Sequence, residues 1–292
     1  MKNFSLVIIA VFLLGSTAAR AHDVLVIQGL RVKPFDEAFR GFRSVCAAQT
    51  RRLYLTDLER TDITRMIREE KPSLILAIGT DALISVRKIT DIPILYLMVL
   101  NPQSTLQGNR NITGVAMNIP PEKYFDLLKH MAPAPKTVGL VYDPAKTGCF
   151  VKRAQQAAKA VGIELAVLEV KKSSDVPGTL NNFKGMVDAL LMLPDTTVVT
   201  PETVEFFLLF SHNNSIPVIT FASKYVEMGA LLSLDIDGFD LGKQAGEMAQ
   251  QILNGAAASD LPGVEARRVH VKANRYVAKK LGITLSTSDL QK

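Results

Sequence analysis

The stretch LILAIGTD, residues 74–81, joins a short apolar run to a glycine and a helix-capping residue. Its first five residues carry no polar side chain, which is typical of a strand buried on both faces in a parallel sheet covered by helices. Gly79 permits a close backbone approach, and Thr80 is a residue type that caps helix N-termini. The stretch therefore predicts a strand, turn and helix of an α/β fold.

Similar apolar runs alternate with amphipathic segments along the chain. Thr200-Pro201-Glu202 offers an N-cap, a first-turn proline and a first-turn acid, which predicts a helix. Phe239 to Leu253 has helical apolar spacing, with Gly255 just past its end. The predicted strands lie at Val24–Gln28, Leu53–Leu55, Leu74–Ile78, Ile94–Val99, Thr137–Tyr142, Leu165–Val170, Ala189–Leu193 and Val218–Phe221.

The N-terminus has the pattern of an export signal. Lys2 precedes an apolar run from Phe4 to Leu14, and Ala19 and Ala21 supply the A-x-A pattern of a cleavage site. The apolar run is about half the length of about 20 residues that a membrane span needs. We expect residues 1–21 to be a cleaved signal peptide and the mature protein to reside in the periplasm.

The remaining 292 − 21 = 271 residues suit two lobes better than one core. Breaks at Thr113-Gly114, at Pro120-Pro121 and near Asp235 suggest that the chain passes between lobes more than once. We expect residues 22–116 with 238–260 to form an N-terminal lobe, and residues 117–237 with 261–292 to form a C-terminal lobe. The predicted fold class is α/β, with two Rossmann-like lobes and a hinge.

Composition excludes several classes of protein. Apolar residues make up 48% and charged residues 21%, which argues against disorder. Lys and Arg are scattered without interleaved aromatic residues, so we expect no nucleic-acid partner. Cys46 and Cys149 could form a disulfide, but the helical spacing of Cys46 with Phe39 and Phe42 favours two buried free thiols.

Sequence templates for catalysis are missing. We find no glycine-flanked serine elbow, phosphate-binding loop, dinucleotide GxGxxG fingerprint or paired His-Glu zinc helix. The four histidines are isolated in sequence. We therefore expect no enzymatic activity, no cofactor and no metal.

Polar residues do follow several predicted strands, where ligands collect in open α/β sheets. Any one of them could instead be a turn former or a helix cap. The candidates for an aromatic wall, each with core packing as an equal alternative, are Phe35, Tyr142, Phe150 and Phe221. The candidate ligand-binding residues are Phe35, Gly79, Thr80, Asp81, Asn101, Tyr142, Asp143, Asp195, Phe221 and Asp235.

An ordered set of short motifs resembles the ABC-transporter substrate-binding protein family that includes tryptophan- and tyrosine-type binding proteins. The set runs from about residue 24 to 282. It comprises Ala77-Ile78-Gly79-Thr80, Asn101-Pro102, Asn111-Ile112-Thr113-Gly114-Val115, Val138-Gly139-Leu140-Val141-Tyr142, the Asp195 segment, Gly229-Ala230-Leu231 and Leu241-Gly242-Lys243-Gln244-Ala245-Gly246.

The resemblance implies a periplasmic-binding-protein fold of type I, with three hinge crossings and a small ligand in the cleft. By the same resemblance, Gly79 and Thr80 would meet a ligand carboxylate and Asp195 an ammonium group. Two departures concern the cleft: Asn101-Pro102 stands where members commonly have Asp-Pro, and residues 143–148 replace a loop rich in serine and asparagine.

The leading hypothesis is a monomeric solute receptor that captures an amino acid or similar small carboxylate and delivers it to an ABC permease in the inner membrane. One alternative is a ligand sensor that docks on a receptor kinase or chemoreceptor. Another is a periplasmic α/β enzyme that uses Asp143 or Asp195 as a base.

Overall fold

The computed structural model describes residues 23–58, 63–106 and 108–285, so the predicted signal peptide lies outside the described residues. Within these ranges the strands form two sheets, each flanked by helices. In the described part of the chain no helix is both long enough and apolar enough to span a membrane.

The first sheet is parallel and, in the described ranges, has the strand order β2-β1-β3-β4-β5. The helices between its strands include α1, which buries Ala38, Phe39 and Phe42 against the sheet. The elements are β1 (Val24–Gln28), α1 (Lys33–Val45), β2 (Thr50–Tyr54), α2 (Ile63–Glu70), β3 (Leu74–Ile78), α3 (Thr80–Val86), β4 (Ile94–Val99), α4 (Gln103–Leu106) and β5 (Ile112–Ala116).

The second sheet, over the described residues, has the order β11-β10-β9-β8-β6-β7 and is parallel except for β11 at its edge. Its elements are α5 (Pro121–Lys129), β6 (Thr137–Tyr142), α6 (Pro144–Ala160), β7 (Glu164–Glu169), α7 (Val176–Asn181), β8 (Ala189–Leu191), α8 (Pro201–Asn214), β9 (Val218–Thr220), α9 (Ser223–Glu227), β10 (Leu232–Ile236), α10 (Gly238–Leu253), β11 (Val269–Ala273) and α11 (Arg275–Leu281).

These elements confirm the α/β fold class and most predicted strands, with small shifts at the ends. The strand predicted at Leu53–Leu55 begins earlier, at Thr50, and β8 ends at Leu191. The helix predicted after Thr200 is present, and Thr200 and Thr203 form a reciprocal capping box at its start.

The chain passes between the sheets along segments that bond to one another. The amide of Ala266 donates to the carbonyl of Asn118 (3.0 Å), and the amide of Asp237 donates to the carbonyl of Arg268 (3.3 Å). Val264 pairs with Val115 beside the first sheet. The final passage to the second sheet therefore lies between Ala266 and β11, while the lobe boundaries given above stay predictions.

Both cysteines are free. Cys46 is buried beside Phe39 and Phe42, as predicted. The expectation that Cys149 is buried is wrong: it is exposed, because α6 turns Phe150, Val151 and Ala154 inward and leaves Cys149 on the outer face.

Glycines allow α1 and α10 to pack with their backbones in contact. A Cβ atom built on Gly242 would lie 1.8 Å from the carbonyl oxygen of Ala38, and one on Gly41 would lie 1.9 Å from the carbonyl oxygen of Phe239. Backbone atoms cannot move aside as a flexible side chain can, so any larger residue would push the helices apart.

We expect Gly242→Ala to lower the free energy of unfolding by about 3 kcal/mol, because the added methyl group overpacks the contact between the helices. Urea denaturation measures the change. Gly178→Ala is the matched control, because nothing lies within 4 Å of a Cβ atom at Gly178 and alanine favours the helix by about 0.5–1 kcal/mol. Equal effects of the two substitutions would contradict the proposed close contact.

Candidate functional site

A cavity of about 510 Å³ lies between the two sheets, at the carboxyl ends of several strands. Residues from both sheets line it, together with residues of the crossing segments. The lining residues are Pro34, Glu37, Met98, Leu100, Asn101, Met117, Asn118, Ile119, Tyr124, Thr147, Phe150, Leu193, Pro194, Phe221, Ser223, Asp235, Ile236 and Gly238. Of the predicted ligand-binding residues, the cavity brings together Asn101, Phe221 and Asp235.

The wall of this cavity is apolar over much of its area. Phe150 contributes a ring from α6 and Phe221 contributes one from just after β9. The ring of Phe221 packs edge-on against Tyr225, with centroids 5.4 Å apart. Among the described lining residues the charged side chains are Glu37 and Asp235, both acids. The cavity therefore combines apolar surface with negative charge.

Asp235 ends the buried part of β10 and is held by neutral donors. The backbone amide of Ser223 donates to its Oδ1 (2.6 Å), and the hydroxyl of Ser233 donates to its Oδ2 (2.5 Å). In the described ranges it makes no ion pair. An ionised carboxylate can accept about four hydrogen bonds, so Asp235 retains accepting capacity toward the cavity.

Tyr124 is a lining residue that the sequence reading missed. It projects from α5 and is 2% exposed, and its hydroxyl makes no hydrogen bond within the described residues. Burial raises the pKa of Tyr124, and the negative charge of Asp235 raises it further. The phenol is thus neutral. Its position just after Pro120-Pro121, where the chain leaves the first sheet, is the sequence signal that could have marked it.

Asn101 connects the two sides of the cleft. Its backbone has φ of 46°, a left-handed value that asparagine tolerates better than most residues. Its amide Nδ2 donates to the backbone carbonyl of Lys146 (3.2 Å), and its Oδ1 accepts from Nδ2 of Asn118 (2.6 Å). Asn101 and Asn118 therefore form a polar bridge from the first sheet to the start of α6.

Asp195 and Asp143 lie next to each other and do not line the cavity. Oδ2 of Asp195 accepts from the amide of Asp143 (2.9 Å) and the hydroxyl of Thr147 (2.6 Å), while Oδ1 accepts from the amides of Thr197 (2.9 Å) and Val198 (3.2 Å). Asp195 is 1% exposed. This carboxylate is saturated by protein donors, which leaves little capacity for an ammonium ligand.

The side chain of Asp143 is held in turn. It accepts from the amide of Ala145 (2.9 Å), which caps α6, and from the hydroxyl of Thr197 (2.7 Å). The hydrogen bond from Thr197 lowers the pKa of Asp143, helped by the Ala145 amide and by Lys146 and Lys171 and opposed by burial. Asp143 and Asp195 thus fix the loops that follow β6 and β8.

The remaining predicted residues lie outside the lining of this cavity. Phe35 covers Gly79, since a Cβ atom on Gly79 would lie 2.7 Å from Cε2 of Phe35. Thr80 and Asp81 are exposed in the first turn of α3. Tyr142 is buried and donates from its hydroxyl to Glu169 (2.8 Å). The role of Gly79 and Thr80 toward a carboxylate stays a prediction.

Among the described residues no group of His, Cys, Asp and Glu side chains could hold a metal ion.

Comparison with known proteins identifies relatives of this architecture. The family model described as ABC transporter substrate binding protein matches residues 57–291. A tyrosine-binding protein of Clostridioides difficile is 25% identical over 229 residues, which are 75% of this chain. That match spans 66% of the relative's own length, slightly less than two thirds.

Solved structures share the fold at low identity. The ligand-free, open structure of a substrate-binding protein with adhesive properties from Clostridium difficile aligns over 93% of this chain and 98% of its own, with 24% identity and a TM-score of 0.74. An ABC domain in complex with L-Trp from Streptococcus pneumonia aligns over 91% and 96%, with 22% identity and a TM-score of 0.65. The fold is that of a type I periplasmic binding protein.

We expect Thr197→Val to reduce the dependence of stability on pH. The folded pKa of Asp143 is lowered, so its stabilising effect is complete above the unfolded value of about 3.9 and is lost as pH falls through the folded value. Removing the Thr197 hydroxyl raises the folded pKa toward the unfolded one, so less stability is lost on acidification. Urea denaturation at pH 6 and pH 3 measures this difference.

Thr179→Val serves as the control, because the Thr179 hydroxyl donates to the backbone carbonyl of Asp175 and to no carboxylate. It should leave the pH dependence at the wild-type value. An unchanged pH dependence in Thr197→Val would show that the hydrogen bond to Asp143 does not hold its charge.

Proposed function

The chain belongs to the ABC transporter substrate-binding protein family, and on that premise we propose that it captures a small solute in the cleft between its sheets and delivers it to an ABC permease. The family and the named relatives are substrate-binding proteins, so the chain is a binding protein and not an enzyme. Amino acids and related small amphipathic molecules are the proposed ligand class. The relatives named for tyrosine and crystallised with L-Trp support it.

The observation that carries this proposal is the cavity of about 510 Å³ that both sheets and the crossing segments line. Its volume lies within the range of about 300–1,000 Å³ that is usual for small-molecule sites. A ligand that touched Leu100 on one side and Phe221 on the other would favour the closed arrangement of the lobes. The permease would then recognise that closed form.

We further propose that the protein works in the periplasm as a monomer, with residues 1–21 removed on export. The pattern of Lys2, the apolar run and Ala19-x-Ala21 supports export. The hypothesis of a base at Asp143 or Asp195 loses its support, because both carboxylates are occupied by protein donors. Docking on a sensor in place of a permease would use the same closed form.

A thermal-shift screen of the mature protein against the common amino acids tests the binding role. A ligand at 100 times its Kd should stabilise the folded state by about 2.7 kcal/mol and raise Tm accordingly. Phe221→Ala should weaken the binding of the best ligand about tenfold, because it removes a ring from the cavity wall. Isothermal titration calorimetry measures the affinity.

Phe206→Ala is the matched control, because Phe206 is 46% exposed on α8 and does not line the cavity. Its affinity should equal that of the wild type. The proposal fails if no amino acid or related solute stabilises the protein, or if Phe206→Ala weakens binding as much as Phe221→Ala.

A further inference from the structure

The charges around the cavity narrow the class of ligand, and this step rests on the proposed binding function. We propose that the cleft recognises the cationic end of its ligand: an ammonium group carried on an aromatic or branched aliphatic body, with no carboxylate required. The lining described above contains Glu37 and Asp235 and no Lys, Arg or His within the described residues. This differs from the expectation of a small carboxylate.

Asp235 carries a charge that no protein cation compensates within the described residues. Its partners, the amide of Ser223 and the hydroxyl of Ser233, are neutral. They orient the carboxylate without supplying positive charge, and no cationic side chain in the described ranges pairs with it. A half-buried charge without a counterion is costly, so an ammonium group at this place would gain both a charge partner and hydrogen-bond acceptors.

Tyr124 offers a second polar group to the same cavity. Its side chain is almost completely buried and lines the same cavity, yet its hydroxyl makes no hydrogen bond within the described residues. The hydroxyl oxygen opens into the cavity, because the one fully buried side-chain oxygen or nitrogen without a partner among the described residues is Thr220 Oγ1. A polar group of a ligand would satisfy the Tyr124 hydroxyl, and an ammonium group can donate to Tyr124 and Asp235 together, since it carries up to three N–H donors.

Several hydrogen-bond donors around the cavity are already partly used by the protein. Asn101 donates its amide to Lys146, Asn118 donates its amide to Asn101, and Thr147 donates its hydroxyl to Asp195. A carboxylate entering the cavity would therefore meet two acids and neutral donors such as the hydroxyls of Tyr124 and Ser223, with no cationic side chain among the described lining residues. Bringing a carboxylate near Asp235 would also add repulsion between like charges.

The helix N-terminus that faces the cavity is covered by an acid as well. Glu37 lies against Gly238 at the start of α10, with its Cδ 3.9 Å from a Cβ atom built there. A protein carboxylate therefore already stands where the helix dipole would attract an anionic ligand. The adjoining groove contains Lys146 and Arg153, but Arg153 is held in a bidentate pair with Glu265 at 2.8 Å.

The apolar wall determines the rest of the ligand. Met98, Leu100, Ile119, Phe150 and Phe221 offer surface to a hydrophobic body. Inorganic cations and short hydrophilic amines would leave that surface wet. The class that fits is therefore an amphipathic amine, and an amino acid with a large apolar side chain belongs to it through its ammonium group.

Two matched series of probes test this inference by thermal shift and calorimetry. One is 2-phenylethylamine, phenylalanine and 3-phenylpropionate; the other is isoamylamine, leucine and 4-methylpentanoate. Within each series the apolar body is nearly constant and the charged groups differ. We expect at least one amine to bind within about tenfold of its amino acid, and we expect both carboxylates to fail, because only the ammonium group meets Asp235.

Single substitutions test whether Asp235 and Tyr124 bind the ammonium group. Asp235→Asn should weaken amine binding about tenfold or more, and Tyr124→Phe about threefold. Asp260→Asn removes one surface negative charge outside the cavity lining and should leave affinity unchanged. If Asp235→Asn does not fold, Tyr124→Phe still tests the inference. The hydroxyl of Tyr124 has no protein partner among the described residues, so its removal breaks no hydrogen bond within the protein.

The outcomes separate this inference from the binding role. If neither amine binds while an amino acid does, or if a carboxylate binds as tightly as its amine, the inference is wrong and the proposed function stands. If no amino acid or related solute of either series or of the broader screen stabilises the protein, both fail. Unchanged amine affinity in Tyr124→Phe and in a folded Asp235→Asn would also overturn the inference.

Discussion

The hydrogen bonds between neighbouring crossing segments are the constraint on which the cleft depends. Asn118 accepts from the amide of Ala266 at 3.0 Å, so the first and last of these segments lie side by side. The same Asn118 uses its side chain to hold Asn101 at the rim of the cavity. Because Asn101 and Asn118 lie on or beside the crossing segments, the hydrogen bonds of those segments fix where these polar groups lie in the cleft.

The last crossing is anchored mainly on α10. The side chain of Gln244 makes two hydrogen bonds to it: it donates to the carbonyl of Glu265 and accepts from the amide of Arg267, both at 3.1 Å. The guanidinium of Arg267 binds Asp240 and Glu247, and these acids raise the pKa of Arg267. Since α10 also packs through Gly242 against α1, these two helices connect the last crossing to the first sheet.

The fold could be predicted from sequence because it depends on local patterns. The uninterrupted apolar runs at Leu74–Ile78 and Ile94–Val99 are buried parallel strands, and Thr200 caps the helix it was expected to cap. The exposure of Cys149 was missed, since the identity of the buried face of α6 depends on what packs against it. The cavity was predicted only in part for the same reason. Tyr124 reaches it from a helix, and the prediction considered only residues that follow strands.

The acids at the strand ends show why residue type alone could not assign the site. Asp143, Asp195 and Asp235 occupy comparable places after β6, after β8 and at the end of β10, and each suits a turn, a cap or a ligand. Their hydrogen bonds distinguish them. Asp195 accepts from donors on both of its oxygens and is sealed from solvent, whereas Asp235 has one neutral donor on each oxygen and an open side toward the cavity. A carboxylate whose acceptor positions are all filled by its own chain stabilises the loops that supply the donors. A carboxylate that is oriented by neutral donors and has no cationic partner in the protein can pair with a cationic ligand.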